Sequence, residues 1–209
     1  MPLAAPAVAG VDPASWALVS DAFSGTLAGY TATNAQIVSG ALKAVAADTA
    51  GSLVPRNLAV RNSVHQLKFT RSGAGTAATT SVGFYVSRAD ASNLIVGQWE
   101  YGAVTAQLSL YAFEPGFGIL AQTLGLTRIA DGASQWLRLA VHGDTLLLNL
   151  YTSDPEAIPA PAPFATVTAA VSTGVRTTNY GLSAKPLPFG LTLNLPAAWS
   201  VDDYKVWKS

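Results

Sequence analysis

Sugars bind proteins by laying apolar C–H faces on aromatic rings while polar side chains meet the hydroxyls. Trp99 and Tyr101 stand two residues apart, and Tyr111 falls on a neighbouring strand candidate. Side chains two apart on a strand share a face, so Trp99 and Tyr101 point together, with Gln98 and Glu100 opposite. The same rings would fill a core equally well, since aromatic side chains dominate cores. The one adjacent carboxylate pair is Asp202-Asp203. It either helps bind Ca²⁺, an oxygen-seeking ion, or is structural, one Asp facing solvent and the other bonding nearby backbone. Neighbouring strand residues point to opposite faces, so two carboxylates on one ion need a bulge or a strand end. His65 and His142 are the two histidines, and there is no cysteine. A zinc site therefore lacks ligands unless carboxylates complete it. A Ser-His-Asp triad stays open because its members need not be adjacent, but no Gly-x-Ser-x-Gly elbow accompanies it. Gly73-Ala74-Gly75-Thr76 lacks the lysine and helix of a phosphate loop.

The elements that must position these residues read as strands. Residues 136–151, WLRLAVHGDTLLLNLY, alternate in the period of a half-buried strand on both sides of a Gly143-Asp144 turn, which predicts a hairpin. Strands are also predicted near 16–23, over 63–70, 81–88, 93–101, 105–113, 119–129 and 164–171, within 174–182, and over 200–207. Residues 36–45 read as two short strands around Ser39-Gly40, with a short helix over 41–50 as the alternative. Residues 71–80 and 89–92 read as a loop and a turn, and Glu114-Pro115-Gly116 as a break. The proline-bearing stretches 153–163 and 185–190 read as surface loops. Residues 1–15, rich in Ala, Pro and Val, read as an extended arm ahead of a single domain over 16–209. About a dozen short strands without a long helix predict an all-β, two-sheet antiparallel β-sandwich of the jelly-roll kind, with its ends on paired strands.

Composition narrows the function classes. A chain of 209 residues is normal for one all-β sandwich. Only 11% of the residues are charged, and twelve basic residues cancel twelve acidic ones. With no basic stripe, nucleic acid is not an expected partner. The apolar start has no basic n-region and carries Pro2 and Pro6, so no signal peptide is expected. No apolar run approaches the roughly 18 to 20 residues of a membrane span. Low charge fits a surface partly covered by other subunits, or one rich in neutral polar side chains.

Four segments in order resemble the concanavalin A-like lectin/glucanase superfamily, especially its laminin-G-like members. They are Ser20-Asp21-Ala22-Phe23-Ser24-Gly25, Val82-Gly83-Phe84-Tyr85-Val86-Ser87-Arg88 with Asn93, Trp136-Leu137-Arg138-Leu139 with Gly143-Asp144-Thr145-Leu146, and Ser200-Val201-Asp202-Asp203-Tyr204-Lys205-Val206. Together they span about residues 16 to 207. Each is mostly a strand pattern, and the resemblance implies a fold before a function. Glucanases of this fold usually carry Glu-x-Asp-x-x-Glu or a close relative on one strand. Here the three glutamates are Glu100, Glu114 and Glu156, and Glu100 is followed by Tyr101-Gly102-Ala103-Val104, so the motif is absent. Hydrolysis needs two carboxylates about 5 to 9.5 Å apart, and a non-enzymatic protein is expected. Cysteine-free, signal-less chains of this resemblance look like bacteriophage tail, fibre or capsid-decorating modules. The resemblance thus implies a virion subunit that displays a carbohydrate-binding surface to host glycans, with Trp99, Tyr101 and Tyr111 as candidate contacts and Ca²⁺ at Asp202 and Asp203 as a possible cofactor. Its arm or an edge strand would dock on other virion subunits or a second copy. The alternatives are a purely structural assembly subunit and a glycan-active enzyme.

Overall fold

A computed structural model describes residues 16–23, 25–27, 30–45, 51–55, 59–60, 62–71, 80–86, 94–102, 104–114, 116–143, 145–170, 187–188, 190–194 and 199–208. In chain order the strands are β1 (Ala17–Asp21), β2 (Tyr30–Thr33), β3 (Ala35–Val38), β4 (Ala41–Ala44), β5 (Gly51–Pro55), β6 (Ala59–Val60), β7 (Ser63–Arg71), β8 (Thr80–Val86) and β9 (Leu94–Tyr101). They continue as β10 (Ala106–Glu114), β11 (Gly116–Leu126), β12 (Gln135–His142), β13 (Thr145–Tyr151), β14 (Ala165–Ala170), β15 (Leu187–Pro188), β16 (Gly190–Asn194) and β17 (Trp199–Lys208). The arm over 1–15, the loop core 72–79, the turn at 89–92 and the strand candidate in 174–182 lie outside the described residues.

Two antiparallel sheets stack face to face. One has eight strands in the order β14-β13-β12-β7-β17-β4-β3, with β1 also on β17. The other has seven, in the order β11-β10-β9-β8-β16-β5-β2, and β15 pairs with β6 separately. The two ends of the described chain meet as expected: Ala17 lies opposite Lys208 and Asp21 opposite Tyr204. β12 and β13 form the predicted hairpin, with His142 opposite Thr145 across the turn. β3 and β4 form the other, turning at Ser39 and Gly40, both at positive φ (53° and 76°). Positive φ at both turn residues matches the twist of a tight two-residue hairpin. β4 is a strand where the helical alternative began. β2, β5, β6, β15 and β16 go beyond the predicted set; four of them are paired through partners distant in sequence, which local alternation does not reveal.

The alternation predicted from sequence is what fills the space between the sheets. Leu67, Phe69, Leu137, Leu139, Leu148, Val201, Tyr204 and Val206 face inward from one sheet, and Val82, Phe84, Ile95, Trp99, Tyr101, Leu108 and Leu110 from the other. Each fully buried large apolar side chain contributes about 1.5–3 kcal/mol. Trp16, just after the arm, packs with Val64, Ala140 and Trp207 on the outer face of the eight-stranded sheet. At Gly83 a Cβ would run into the Gly97 carbonyl oxygen and come within 2.7 Å of the Gln98 Cα, so β8 and β9 can lie this close only with glycine there.

Candidate functional site

Strand parity decides which aromatic rings can meet a ligand. On β9, Trp99 and Tyr101 turn inward and have 0% and 1% of their surface exposed. Their ring centroids are 5.4 Å apart and edge-on, and Tyr101 sits 5.2 Å from Trp199. The Tyr101 hydroxyl donates to the Ile129 carbonyl at 2.9 Å, and the Arg71 and Arg128 guanidinium groups lie 4.8 and 4.9 Å from its ring. The expected sugar platform at Trp99 and Tyr101 is therefore corrected. The two do share a face, but it is the face between the sheets, where no sugar reaches.

Tyr111 lies on the other face. It is opposite Val96 across β9 and β10, Gln107 is opposite Glu100, and Ser109 is opposite Gln98. Glu100 collects this outer face into one cluster. Its Oε1 accepts from Gln98 Nε2 at 2.6 Å and from the Tyr111 hydroxyl at 2.5 Å, and its Oε2 accepts from Gln107 Nε2 at 2.8 Å. Gln107 Nε2 also donates to the Tyr111 oxygen at 3.1 Å. The Tyr111 phenol is pushed up to about 12, first by burial and then by its bond to Glu100 and that carboxylate's charge, which fixes it as a neutral donor. Beside the cluster opens a small recess of about 130 Å³ lined by Glu100, Gly102, Thr105, Ala106 and Gln107. The structure thus brings Tyr111 to Glu100 and separates it from Trp99 and Tyr101. Gln98, Glu100 and Gln107 were not among the sequence candidates. The available signal was the polar parity of Gln98 and Glu100, two apart on the face opposite the rings.

The remaining titratable candidates do not join this cluster. Glu156 belongs to the outer face of the opposite sheet, where it accepts from Gln66 at 2.6 Å and from Lys205 at 2.8 Å. Glu100 and Glu156 are therefore on opposite outer faces of the sandwich. Among the described side chains of β8, β9 and β10 that share the Glu100 face, which include Ser81, Val96, Gln98, Gln107, Ser109 and Tyr111, none is a second carboxylate. His65 is enclosed in the core, with Nε2 2.6 Å from Ser63 Oγ and Nδ1 3.3 Å from the Tyr204 hydroxyl. Both of these partners are hydroxyls, and burial pushes the imidazole pKa down to about 3. His142 is exposed at the hairpin tip.

The register of β17 does shift between Val201 and Asp203, the bulge that a shared ion at Asp202 and Asp203 would need. Even so, the pair does not fit calcium. Asp203 lies 3.4 Å from the Lys205 ammonium, and Asp202 accepts from Ser200 Oγ at 3.4 Å. Among the described residues no three His, Asp or Glu side chains gather, whereas calcium takes about six to eight oxygen ligands.

No family model and no curated protein matches the chain. Solved structures do. The exoplasmic/lumenal domain of VIP36 in its Ca²⁺/Man2-bound form matches with a TM-score of 0.65 at 9% identity, over 92% of this chain and 87% of that one. Three plant lectins fall between 0.61 and 0.63. The chain shares with these lectin domains the fold of a two-sheet antiparallel β-sandwich. Two further matches bear on context. The CBM2 module of the evolved Dit of Lactobacillus casei BL23 phage J-1 matches this lectin-like sandwich with a TM-score of 0.61 at 13% identity, over 92% of this chain and 96% of that one. The GH43 protein BlXynB (K247S mutant) of Bacillus licheniformis matches with 0.62 at 10% identity, and the chain spans 39% of that protein's length.

Proposed function

We propose that the chain is a non-catalytic, glycan-binding module of a virion, with its ligand surface on the outer face of the seven-stranded sheet. The observation that carries the reading is the hydrogen-bonded cluster of Glu100, Gln98, Gln107 and Tyr111 opening on a polar recess. Fixed donors and acceptors beside a recess are what sugar hydroxyls require, since a site built to hydrogen-bond an OH discriminates strongly against a ligand lacking it. Among the described side chains of that face Glu100 has no second carboxylate beside it, which favours binding over hydrolysis, a reaction that takes two. The virion context draws on the phage J-1 module, which shares the fold over nearly its whole length. Calcium has no part in the reading, because Asp203 is engaged by Lys205.

A glycan array probed with the full chain tests it. Signal from a defined set of glycans, reduced at least tenfold by Gln107→Ala, is expected. An array without signal above a control protein would remove the reading.

A second reading, an assembly subunit without a sugar site, is favoured by one feature. β11 is an edge strand of eleven residues, GFGILAQTLGL, with no charge and no proline, and its Ile119 and Leu124 are 52% and 59% exposed. Exposed uncharged edges of this length pair readily with other chains. In this reading other virion subunits or a second copy occupy that edge.

A further inference from the structure

Glu100 is a carboxylate with only 6% of its surface exposed. Its hydrogen-bond partners among the described residues are neutral: two glutamine amides and a phenol. The ion pairs among the described residues are Arg71 with Asp131 and Lys205 with Glu156 and Asp203; none includes Glu100. The other described side chains lining the recess, Thr105, Ala106 and Gln107, carry no charge. Buried charges in folded proteins are ordinarily paired, because withdrawing an ion from water is costly unless an opposite charge meets it. Here the charge is withdrawn and held by three donors, and it borders an opening. Its field therefore acts on whatever enters the recess.

From this we propose that the recess takes a positively charged amine carried on a sugar, and turns away anionic sugars. The proposal rests on the glycan reading above and names the ligand class of the same site. Size fits it. At roughly 30 Å³ per water, a recess of about 130 Å³ holds a few waters, which is room for the amine-bearing edge of one sugar ring but not for a whole oligosaccharide. An ammonium placed there gains a charge-assisted bond to Glu100 in a partly dry site. A uronate or sulfate placed there meets a like charge and is repelled. A neutral N-acetyl group meets neither.

Calorimetry with three oligosaccharides of equal length separates these cases: glucosamine, N-acetylglucosamine and galacturonic acid oligomers, at about pH 6, where an aliphatic amine is protonated. The full chain should bind the glucosamine oligomer at least about tenfold more tightly than the acetylated one, one tenfold step being 1.4 kcal/mol, and should not bind the uronate. Glu100→Gln, which keeps the shape and removes the charge, should abolish the preference. Thr105→Lys, at an exposed position on the rim, should do the same by supplying the cation from the protein. Equal affinity for the amine and acetylated oligomers, or a preference that survives both substitutions, overturns the proposal. A methylammonium titration followed through the Gln107 side-chain amide separates the two claims. If no sugar binds but methylammonium moves that signal in the native chain and not in Glu100→Gln, the cation site stands and the glycan reading falls. If neither the amine sugar nor methylammonium gives a response sensitive to Glu100→Gln, the proposal falls.

Discussion

Glu100 and Tyr111 meet across β9 and β10, the phenol donating to the carboxylate at 2.5 Å on the outer face of the seven-stranded sheet. Both side chains are buried, so the bond is shielded from water. Tyr111→Phe deletes one of three donors to a buried charge. Hydrogen bonds to charged groups are worth about 1.5–3 kcal/mol, and urea unfolding of the variant should show a loss in that range. An unchanged midpoint would mean that the carboxylate is not held as described.

The two rings behind this face play a different part. Trp99→Ala or Tyr101→Ala removes a buried aromatic from between the sheets, at a cost of about 3–5 kcal/mol. Calorimetric melting should show a large drop in stability for both, without any ligand present. If either variant kept its melting temperature and lost only glycan binding, the core assignment of these rings would be wrong.

His65 makes stability depend on pH. Burial lowers its pKa from 6.5 to about 3, so the folded chain holds it neutral where an unfolded chain would protonate it. The contribution is complete above the unfolded value of about 6.5 and is lost as pH falls from there towards 3, with a slope of up to about 1.4 kcal/mol per pH unit. Urea unfolding from pH 7 down to about 4 should show this decline, and His65→Gln should flatten it relative to the native chain. Parallel curves for the two proteins would exclude His65 as its source.

Much of the architecture was legible because it is local. The alternation through Trp136–Tyr151 and the Gly143-Asp144 turn define β12 and β13, and Ser39-Gly40 does the same for β3 and β4. β5 and β16 were not legible: each is five residues long, and they pair with each other across more than a hundred residues of chain. The site was half legible. Parity separates Trp99 and Tyr101 from Gln98 and Glu100, but it does not say which face meets the other sheet. That depends on stacking, a long-range property. Aromatic rings at that spacing suit a sugar platform and a core equally well. The partnership of Glu100 with Gln107 and Tyr111 depends on the register of β9 against β10, and no motif announces it.

The β11 edge gives the assembly reading its own test. Ile119→Lys with Leu124→Lys places two charges on an edge that has none. Charged edge residues oppose strand-to-strand pairing. Light scattering should show the native chain as an oligomer at high concentration and the double variant shifted towards monomer. A native chain that is monomeric throughout would remove β11 as a self-docking edge.

The central claim is that ligand meets the protein at Glu100, on the outer face of the seven-stranded sheet. Nuclear magnetic resonance mapping tests it most directly, with the strongest glycan from the array titrated into the isotopically labelled full chain. The account predicts that the shifts concentrate on Gln98, Glu100, Thr105, Gln107 and Tyr111 and disappear in Glu100→Gln. Shifts gathered instead at the β12–β13 hairpin tip or along β14, with the Glu100 face unmoved, would contradict it.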